Sequence, residues 1–548
     1  MPLPLKGLVM KILVADKLAE EGLAYLTEAG VAYDVKLGLK EDELAAEVSA
    51  YDGLIVRSGV KATAKVLANP GKLRAIARAG VGVDNIDLDT ATSKGILVLN
   101  TAAASTLSTA EHAWALLMSL ARKVPAADLH VRTGNWKRNN YQGTQLAGKT
   151  LGVVGLGRIG QTVASRAIAF EMNVVGFDPF YPNDTALEGK IKLVRDFDEF
   201  LKQIDVITFH VPGGAGTRHL LNRERLFNVA RPNLLVINDS RGEVVDEIAL
   251  AEALKAKKIA GAAIDVFENE PPVKDHPLFS CENAVLTPHL GASTDEAQTA
   301  VSVEACKAMV AFLRTGEIRG AVNAGGIKLD LPPDEAPLAK LASRIGTLLG
   351  GYADGGYKTI TVRASGPRAP KHLKTLLRLA AVELLRPHLT DSVNVINIEH
   401  VAQQRGIELV SIHEPQPPQG LVGDVVGVRV QNTDGVSHRI LGTVYADGLP
   451  RVLRFDDFGM DMIPEGQMVL IENEDRPGVI GVVGTTFGDA GVNIADMVIS
   501  RHIRPDGTAH ALMVLKVDST PDSAVENRLR ARPGIVRVKD VKLPPRDA

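Results

Sequence analysis

Three short runs carry the residue types needed to move a hydride and a proton: Asn238-Asp239-Ser240-Arg241-Gly242, Asp265-Val266-Phe267-Glu268-Asn269-Glu270-Pro271-Pro272 and Pro288-His289-Leu290-Gly291-Ala292-Ser293. Oxidising a 2-hydroxy acid requires a base for the hydroxyl proton and a cation for the carboxylate and the developing carbonyl oxygen. His289 suits the first task because an imidazole titrates near neutrality. Arg241 suits the second through its planar, two-pronged donor set. A carboxylate bonded to the other ring nitrogen would fix the tautomer and raise the basicity of the imidazole, and Glu270 is the candidate. Each run follows an apolar, strand-like stretch (LLVIND, GAAIDV, AVLTPH), and in a doubly wound sheet the carboxyl ends of the strands line the ligand crevice.

A fourth run supplies the hydride acceptor's site. The stretch TLGVVG leads into Gly155-Leu156-Gly157-Arg158-Ile159-Gly160 and then QTVASRAIAF. This is a GxGxxG at a strand end that opens a helix: Gly155 for the tight turn, Gly157 for close approach of a pyrophosphate, Gly160 for helix–strand packing. The helix N-terminus offers unpaired N–H groups to the phosphates. The next strand-like run, NVVGF, ends at Asp178, eighteen residues beyond Gly160. That is close to the spacing expected of an acid that accepts from the ribose 2′-hydroxyl and repels a 2′-phosphate. Pro179, Phe180 and Tyr181 follow, with no Arg among them, so the cofactor expected is NAD rather than NADP.

These runs need elements to position them. From Lys11 to about Leu99 apolar runs (KILVAD, GLIVRS, LRAIARAG, GILVLN) alternate with amphipathic stretches, and the same alternation returns from Lys149 to about Thr287, which predicts parallel βαβ construction. A long helical pattern, TLSTAEHAWALLMSLARKVPAADLHVRTGNW, lies between the two blocks. Ser108 and Glu111 within it have the spacing of a capping box. A further helix is predicted over roughly 293–314, with Val301, Ala305, Met309 and Phe312 on its apolar stripe. Near Gly320 to Pro337 the run GGIKLDLPPDEAP reads as a linker. Beyond it TITVRASG, VNVINIEHVA, GVRVQN, HRILGTVY and RVLRFDDF read as short strands, with one helix at about Lys371–Leu385. The last block, Met468 to Leu543, reads βαββαβ, a ferredoxin-like order.

The chain has 548 residues, 62 Lys plus Arg against 65 Asp plus Glu, and 45% hydrophobic residues. This composition is globular, predicts several domains, and excludes a wholly disordered chain or a global positive field for nucleic acid. Two cysteines, Cys281 and Cys306, with no CxxC and no His/Cys cluster, predict neither a disulfide framework nor a metal site and fit a reducing compartment. No apolar run is long enough to span a bilayer. The first residues make a poor signal peptide, Met10 is a second candidate start, and the expected location is the cytoplasm.

The runs GLGRIG, INDSRGEVVDEIAL, GAAIDVFENEPP and TPHLGAST resemble the D-2-hydroxyacid dehydrogenase family. The C-terminal extension is similar to that of the family's long, phosphoglycerate-oxidising branch. The resemblance implies an α/β fold of two Rossmann-like lobes, the NAD-binding one (108–292) inserted into a substrate lobe (1–107 and 293–325). An α+β intervening domain (330–465) and an ACT regulatory domain (467–548) would follow. It implies Arg241 as substrate cation, Glu270 as histidine partner and His289 as acid/base. Cofactor contacts are implied at Gly155, Gly157, Arg158, Ile159, Gly160, Asp178, Val211, Asp239, Ser240, Asp265, Gly291 and Ala292. For a phosphorylated, carboxylated substrate it implies Arg57, Ser58, Arg78 and Gly80, with backbone N–H groups of Gly80 and Gly82 turned toward the carboxylate. Lys137 and Arg138 are candidates for phosphate contacts, across a dimer interface. Val81 departs from the family, where many relatives have Thr, and Gly213-Gly214 replaces a usual bulky residue.

Within Asn473-Glu474-Asp475-Arg476-Pro477-Gly478-Val479 and Gly491-Val492-Asn493-Ile494, a turn at Asp475 can hold an ammonium and the helix N-terminus at Gly478 a carboxylate. Asn493 adds an amide that can bond both. The ACT resemblance makes L-serine the expected effector at a paired interface, with a homo-oligomer, dimer or tetramer, and neither nucleic acid nor membrane as partner. Arg439, Arg451 and Arg454 are candidate anion ligands in the intervening block. The activity expected is NAD-linked oxidation of 3-phosphoglycerate to 3-phosphooxypyruvate, in serine biosynthesis. Two alternatives stay open: the same chemistry on another 2-hydroxy acid such as glyoxylate or hydroxypyruvate, or a dinucleotide-sensing scaffold without turnover.

Overall fold

The computed structural model describes residues 10–389 and 392–546; residues 1–9, upstream of the second candidate start, lie outside it. The first sheet has five parallel strands in the order Ala32–Val35, Lys11–Val14, Gly53–Val56, Ala75–Arg78, Leu97–Asn100. Its three inner strands are apolar and sealed on both faces, as expected of parallel strands covered by helices. The second sheet has eight strands, ordered Ala284–Leu286, Gly261–Ile264, Leu235–Asn238, Val206–Phe209, Thr150–Val154, Asn173–Phe177, Ile191–Leu193, Thr185–Ala186. All its pairs are parallel except the last. Strand order reverses between Thr150–Val154 and Val206–Phe209, the switch point at which ligand crevices form.

Two crossovers join these lobes. Helix Asp295–Thr315 returns the chain to the first sheet, burying Val301, Ala305, Met309 and Phe312. That i, i+4, i+8, i+11 spacing puts all four on one stripe, each worth about 1.5–3 kcal/mol when fully buried except the small Ala305. Thr294 caps its start by accepting from the Ala297 N–H, and Gly316 ends it in the left-handed conformation. The other crossover departs from expectation. The helix begins at Thr106, not Ser108, and Ser108 Oγ is bonded to Thr294 Oγ1 (2.8 Å) instead of capping. It also breaks at Lys123 (φ 54°) into Thr106–Arg122 and Val124–Arg132. Pro125 accounts for the break, since its ring disfavours helical geometry behind it and it has no N–H to donate.

A third sheet follows, ordered Glu408–His413, Tyr357–Ser365, Val425–Asn432, Ser437–Val444, Pro450–Phe455, Phe458–Met462, antiparallel but for its first pair. Here too the sequence reading needs correcting. VNVINIEHVA is no strand: Asn394 Oδ1 accepts the N–H groups of Ile396 and Asn397, closing a turn into helix Ile398–Gln404. A long helix, Ala336–Tyr352, follows the linker and lies beside Leu373–Leu385. Pro337 starts it rather than stopping it, because the first turn needs no intrahelical donor. The fourth sheet, Ile494–Ile503, Ala509–Val517, Gln467–Glu474, Ile535–Lys542, carries helices Val479–Asp489 and Ser523–Arg530 in the expected βαββαβ order. Val469, Ile471, Met513 and Leu515 pack under those helices, while Leu470, Leu512, Val514 and Val541 join the core of the preceding domain. No helix among the described residues is long and apolar enough to cross a membrane.

Candidate active site

His289 sits in a turn made by its neighbours. Asp265, at the end of strand Gly261–Ile264, is fully buried and accepts from the N–H groups of Leu290 (2.8 Å) and Gly291 (3.0 Å) and the hydroxyl of Thr287 (2.6 Å). Its carbonyl accepts from the His289 N–H (2.8 Å), and His112 Nε2 lies 3.1 Å from its carboxylate. Held this way, His289 adopts φ 56°, uncommon for a residue with a side chain and the kind of local strain found at active sites. Burial alone would raise the Asp265 pKa, but these donors outweigh it and keep the carboxyl below its usual range.

His289 Nδ1 lies 2.7 Å from Glu270 Oε2, and Glu270 Oε1 accepts from the Phe267 N–H (3.1 Å). Partial burial pushes Glu270 up, yet the bond and charge of His289 pull it below its ordinary value. An ionised Glu270 can only accept, so Nδ1 carries the proton and Nε2 presents a lone pair. Both side chains remain half open to solvent.

Arg241, at the end of strand Leu235–Asn238, donates from Nη1 to the Ser240 carbonyl (2.6 Å) and from Nε to Asp84 of the first lobe (3.0 Å). Arg78 is largely buried beside it; burial foremost, and then the Arg241 charge, lower its pKa, and its buried Nε has no partner. Arg57 donates to the Lys17 carbonyl (3.0 Å) and to Gln298, whose own amide holds the Ala292 carbonyl (2.6 Å). Ser58 is exposed at the same loop. Three cations thus gather where the lobes meet. Gly80 is a correction: its N–H is spent on Thr101 Oγ1 (2.8 Å), so only Gly82 remains to present a backbone donor. Lys137 and Arg138 stand on an exposed arm after helix Val124–Arg132, and their side chains bond none of the cleft residues among the described residues.

The nucleotide crevice fits its expected occupant. Gly155 has φ 87°, and a Cβ there would meet the His210 carbonyl at 2.5 Å; a Cβ at Gly160 would lie 1.9 Å from the Gly155 carbonyl. At Gly157 nothing stands within 4 Å of a Cβ, leaving the open approach a pyrophosphate needs. Helix Arg158–Ala169, with Ile159 in its first turn, has neither a side-chain cap nor an acid there, so its first N–H groups face out unpaired by side chains. Asp178 accepts from the Leu156 and Phe180 N–H groups (2.9 Å each). Arg195, which the local sequence did not flag, reaches this loop but spends its donors on the carbonyls of Asp178, Tyr181 and Asn183.

Below the crevice floor two expected contacts change character. The side chains of Asp239 and Asp265 are sealed from solvent, so the former offers a ligand only backbone and the latter acts through the turn it organises. Both oxygens of Asp239 lack hydrogen-bond partners, with His210 Nδ1 3.5 Å away. Burial and the Asp265 charge push the Asp239 carboxyl well up, and burial pushes His210 down to about 3. Ser240 is turned inward, bonded to Asn238 Oδ1 (2.9 Å), while Val211 and Ala292 are partly open and Gly291 is buried at the turn.

In the fourth sheet Asp475 pairs with Arg501 (3.3 Å), Gly478 opens its helix at φ 90°, and Asn493 donates to Asp518 (2.8 Å). Register places them apart. Glu474 pairs with His510 at one end of the sheet, whereas Ile494 pairs with Val517 at the other. One chain therefore does not bring Asp475 and Asn493 to a common ligand. In the third sheet Arg439 and Arg451 are already paired with Asp457 (3.1 Å) and Asp447 (3.0 Å). No group of three His, Cys, Asp or Glu among the described residues could hold a metal ion.

Residues 114–291 match the family model of the D-isomer specific 2-hydroxyacid dehydrogenase NAD binding domain, 336–456 that of the D-3-phosphoglycerate dehydrogenase intervening domain, and 467–534 that of the ACT domain. The D-3-phosphoglycerate dehydrogenase of Archaeoglobus fulgidus is 38% identical over 537 residues, 97% of this chain and all of that one. The enzyme of that name from Bacillus subtilis is 36% identical over 547 residues, 98% of this chain and all of its own. Among solved structures, a protein from Thermus thermophilus superposes with TM-score 0.52 at 36% identity, covering 57% of this chain and 100% of that one. An NADPH-dependent glyoxylate/hydroxypyruvate reductase from Sinorhizobium meliloti gives 0.51 at 31%, covering 57% and 97%.

Proposed function

The chain belongs to the D-isomer-specific 2-hydroxyacid dehydrogenase family, in its long D-3-phosphoglycerate dehydrogenase branch, and from that premise we propose how its residues divide the work. The reaction is NAD-dependent oxidation of (2R)-3-phosphoglycerate to 3-phosphooxypyruvate, which opens L-serine synthesis. The observation that carries the residue assignment is the 2.7 Å His289–Glu270 contact, whose turn is tied through Gln298 to Arg57 of the first lobe.

Gly155–Gly160 and Asp178 would hold NAD, which when bound would supply the acceptor for the C2 hydride. His289 Nε2 takes the proton of the C2 hydroxyl, and Glu270 stabilises the imidazolium that results. Arg241 holds the carboxylate and steadies the oxygen that becomes a carbonyl. Arg57 and Arg78, one with an unpartnered buried nitrogen, serve the phosphate, a charge that glycerate and glyoxylate lack. Asp265 and Gln298 position the His289 turn. The domain limits proposed are those read from the sequence: 1–107 with 293–325, 108–292, 330–465 and 467–548.

L-serine is the proposed effector. The exposed edge strand Ile494–Ile503 supports this, because antiparallel pairing of two such edges would carry Asn493 of one copy to the Asp475 end of its neighbour. A dimer or tetramer is implied, and the exposed Trp136 arm (83% accessible) offers a second contact surface. Two free, buried thiols, Cys281 and Cys306, support a reducing, cytoplasmic location. Calorimetry tests the effector: serine binding to the wild type should be lost in Asn493→Ala, and an absence of heat in the wild type would reject it.

A further inference from the structure

The Arg241 guanidinium bonds across from the nucleotide lobe to the first lobe, and its partner there is a carboxylate, Asp84. Each of its nitrogens has a place. Nη1 is anchored on the Ser240 carbonyl, Nε donates to Asp84 Oδ2 at 3.0 Å, and Nη2 lies so close over Gly82 that a Cβ there would stand 1.8 Å from it. The same hypothetical Cβ would stand 2.6 Å from Asp84 Oδ2. The Nε–Nη2 edge, the edge that takes a carboxylate in two-pronged fashion, therefore faces Asp84.

The charges around this pair are uneven. Arg241 and Arg57 both lie within electrostatic reach of Arg78, and the acids that face Arg78 are Asp84 and Asp16. Asp16 is committed to backbone, accepting from the N–H groups of Arg57 (2.6 Å) and Val60 (3.1 Å). Asp84 is not committed in this way: its side chain is 73% accessible against 26% for Arg241. An exposed ion pair with a single hydrogen bond is weak and exchangeable, whereas a bidentate pair with a substrate carboxylate is the stronger arrangement.

We propose that Asp84 is a place-holding anion: it occupies the open edge of Arg241 and bridges the two lobes until the substrate carboxylate displaces it. The proposal rests on the assignment of Arg241 to that carboxylate. It makes Asp84 a residue that tunes substrate affinity, and it gives Gly82 a role, since any side chain there would block the exchange.

The test is equilibrium binding of 3-phosphoglycerate to the full-length protein loaded with NADH, by calorimetry at low and high salt, together with steady-state KM. Removing the competing charge in Asp84→Asn should tighten binding about two- to fivefold at low salt, the range of an exposed pair, and the gain should shrink at high salt. Asp84→Ala should move in the same direction. Unchanged or weaker binding in both variants overturns the place-holder. Arg241→Lys separates this from the underlying assignment. Weakened binding there with no gain in Asp84→Asn leaves the cation assignment standing and removes the place-holder alone, whereas wild-type binding in Arg241→Lys removes both.

Discussion

Two clusters of charge in this molecule use similar residues in opposite ways. In the cleft, Glu270 and His289 are bonded yet half open, and Arg241, Arg78 and Arg57 gather with few acids to balance them. Between the last two domains, Glu465 is 5% accessible and accepts from Lys516 (2.5 Å) and twice from Arg546 (3.0 Å each). Beside it the buried Arg344 donates to the carbonyls of Pro464 (2.7 Å) and Pro545 (2.8 Å), pinning the C-terminal segment. The first cluster leaves lone pairs and N–H groups for a ligand. In the second the carboxylate is sealed and paired, and its charges hold domains together. Surplus donors at a lobe boundary are what distinguish a site from a joint.

The comparison breaks most directly at His289. If the cleft is a site, His289→Ala should lower kcat by about 10²–10⁴-fold, the contribution of a positioned acid/base, with NAD affinity nearly unchanged. Stopped-flow turnover with cofactor titration checks this, and retained turnover would remove His289 from the chemistry.

The joint should answer instead in stability. The Arg546 hydrogen bonds foremost, and then Lys516, hold Glu465 down to about 2 against burial. Its folded pKa lies below the unfolded one, so its contribution is fully present above pH 4–5 and is lost as the pH falls toward 2. Glu465→Gln should therefore cost about 2–3 kcal/mol near pH 7, with the difference closing below about pH 4. Chemical denaturation across that range measures it; a pH-independent difference would contradict the ion-pair account. Turnover should change less than stability.

Asp239 sharpens the contrast because its buried carboxyl oxygens have no hydrogen-bond partner among the described residues. Its carboxyl is raised well above the ordinary value, so folding takes up a proton at any pH between the unfolded and folded values. That is a penalty which grows as pH rises above about 4. Asp239→Asn removes the titration, and its stability relative to the parent should improve by about 1 kcal/mol or more between pH 4 and 8. A constant difference would show that Asp239 is ionised in the fold.

The residues proposed to do the chemistry were legible because each follows an apolar strand in a sheet whose strand ends must form the crevice. Arg241, Glu270, His289 and the Gly155–Gly160 turn are local features of that kind. Asp84 and Gln298 were not legible: their partners Arg241 and Arg57 lie 157 and 241 residues away, and nothing in their neighbourhoods differs from an ordinary loop or helix start. Local patterning also misled where one residue type has two uses. Pro337 looked like a linker residue and begins a helix, and VNVINIEHVA has strand-like composition that two Asn side chains convert into a turn and helix. The Gly80 N–H is taken by Thr101, a residue from a neighbouring strand end that the local motif does not reveal.

The central claim is that the cleft recognises a phosphorylated 2-hydroxy acid through cations from both lobes. Its most direct measurement is NADH formation, followed by absorbance, with 3-phosphoglycerate and with D-glycerate as substrates. Loss of two charge-assisted contacts should lower kcat/KM for glycerate by about 10²-fold or more. Equal kcat/KM for the two would contradict the claim.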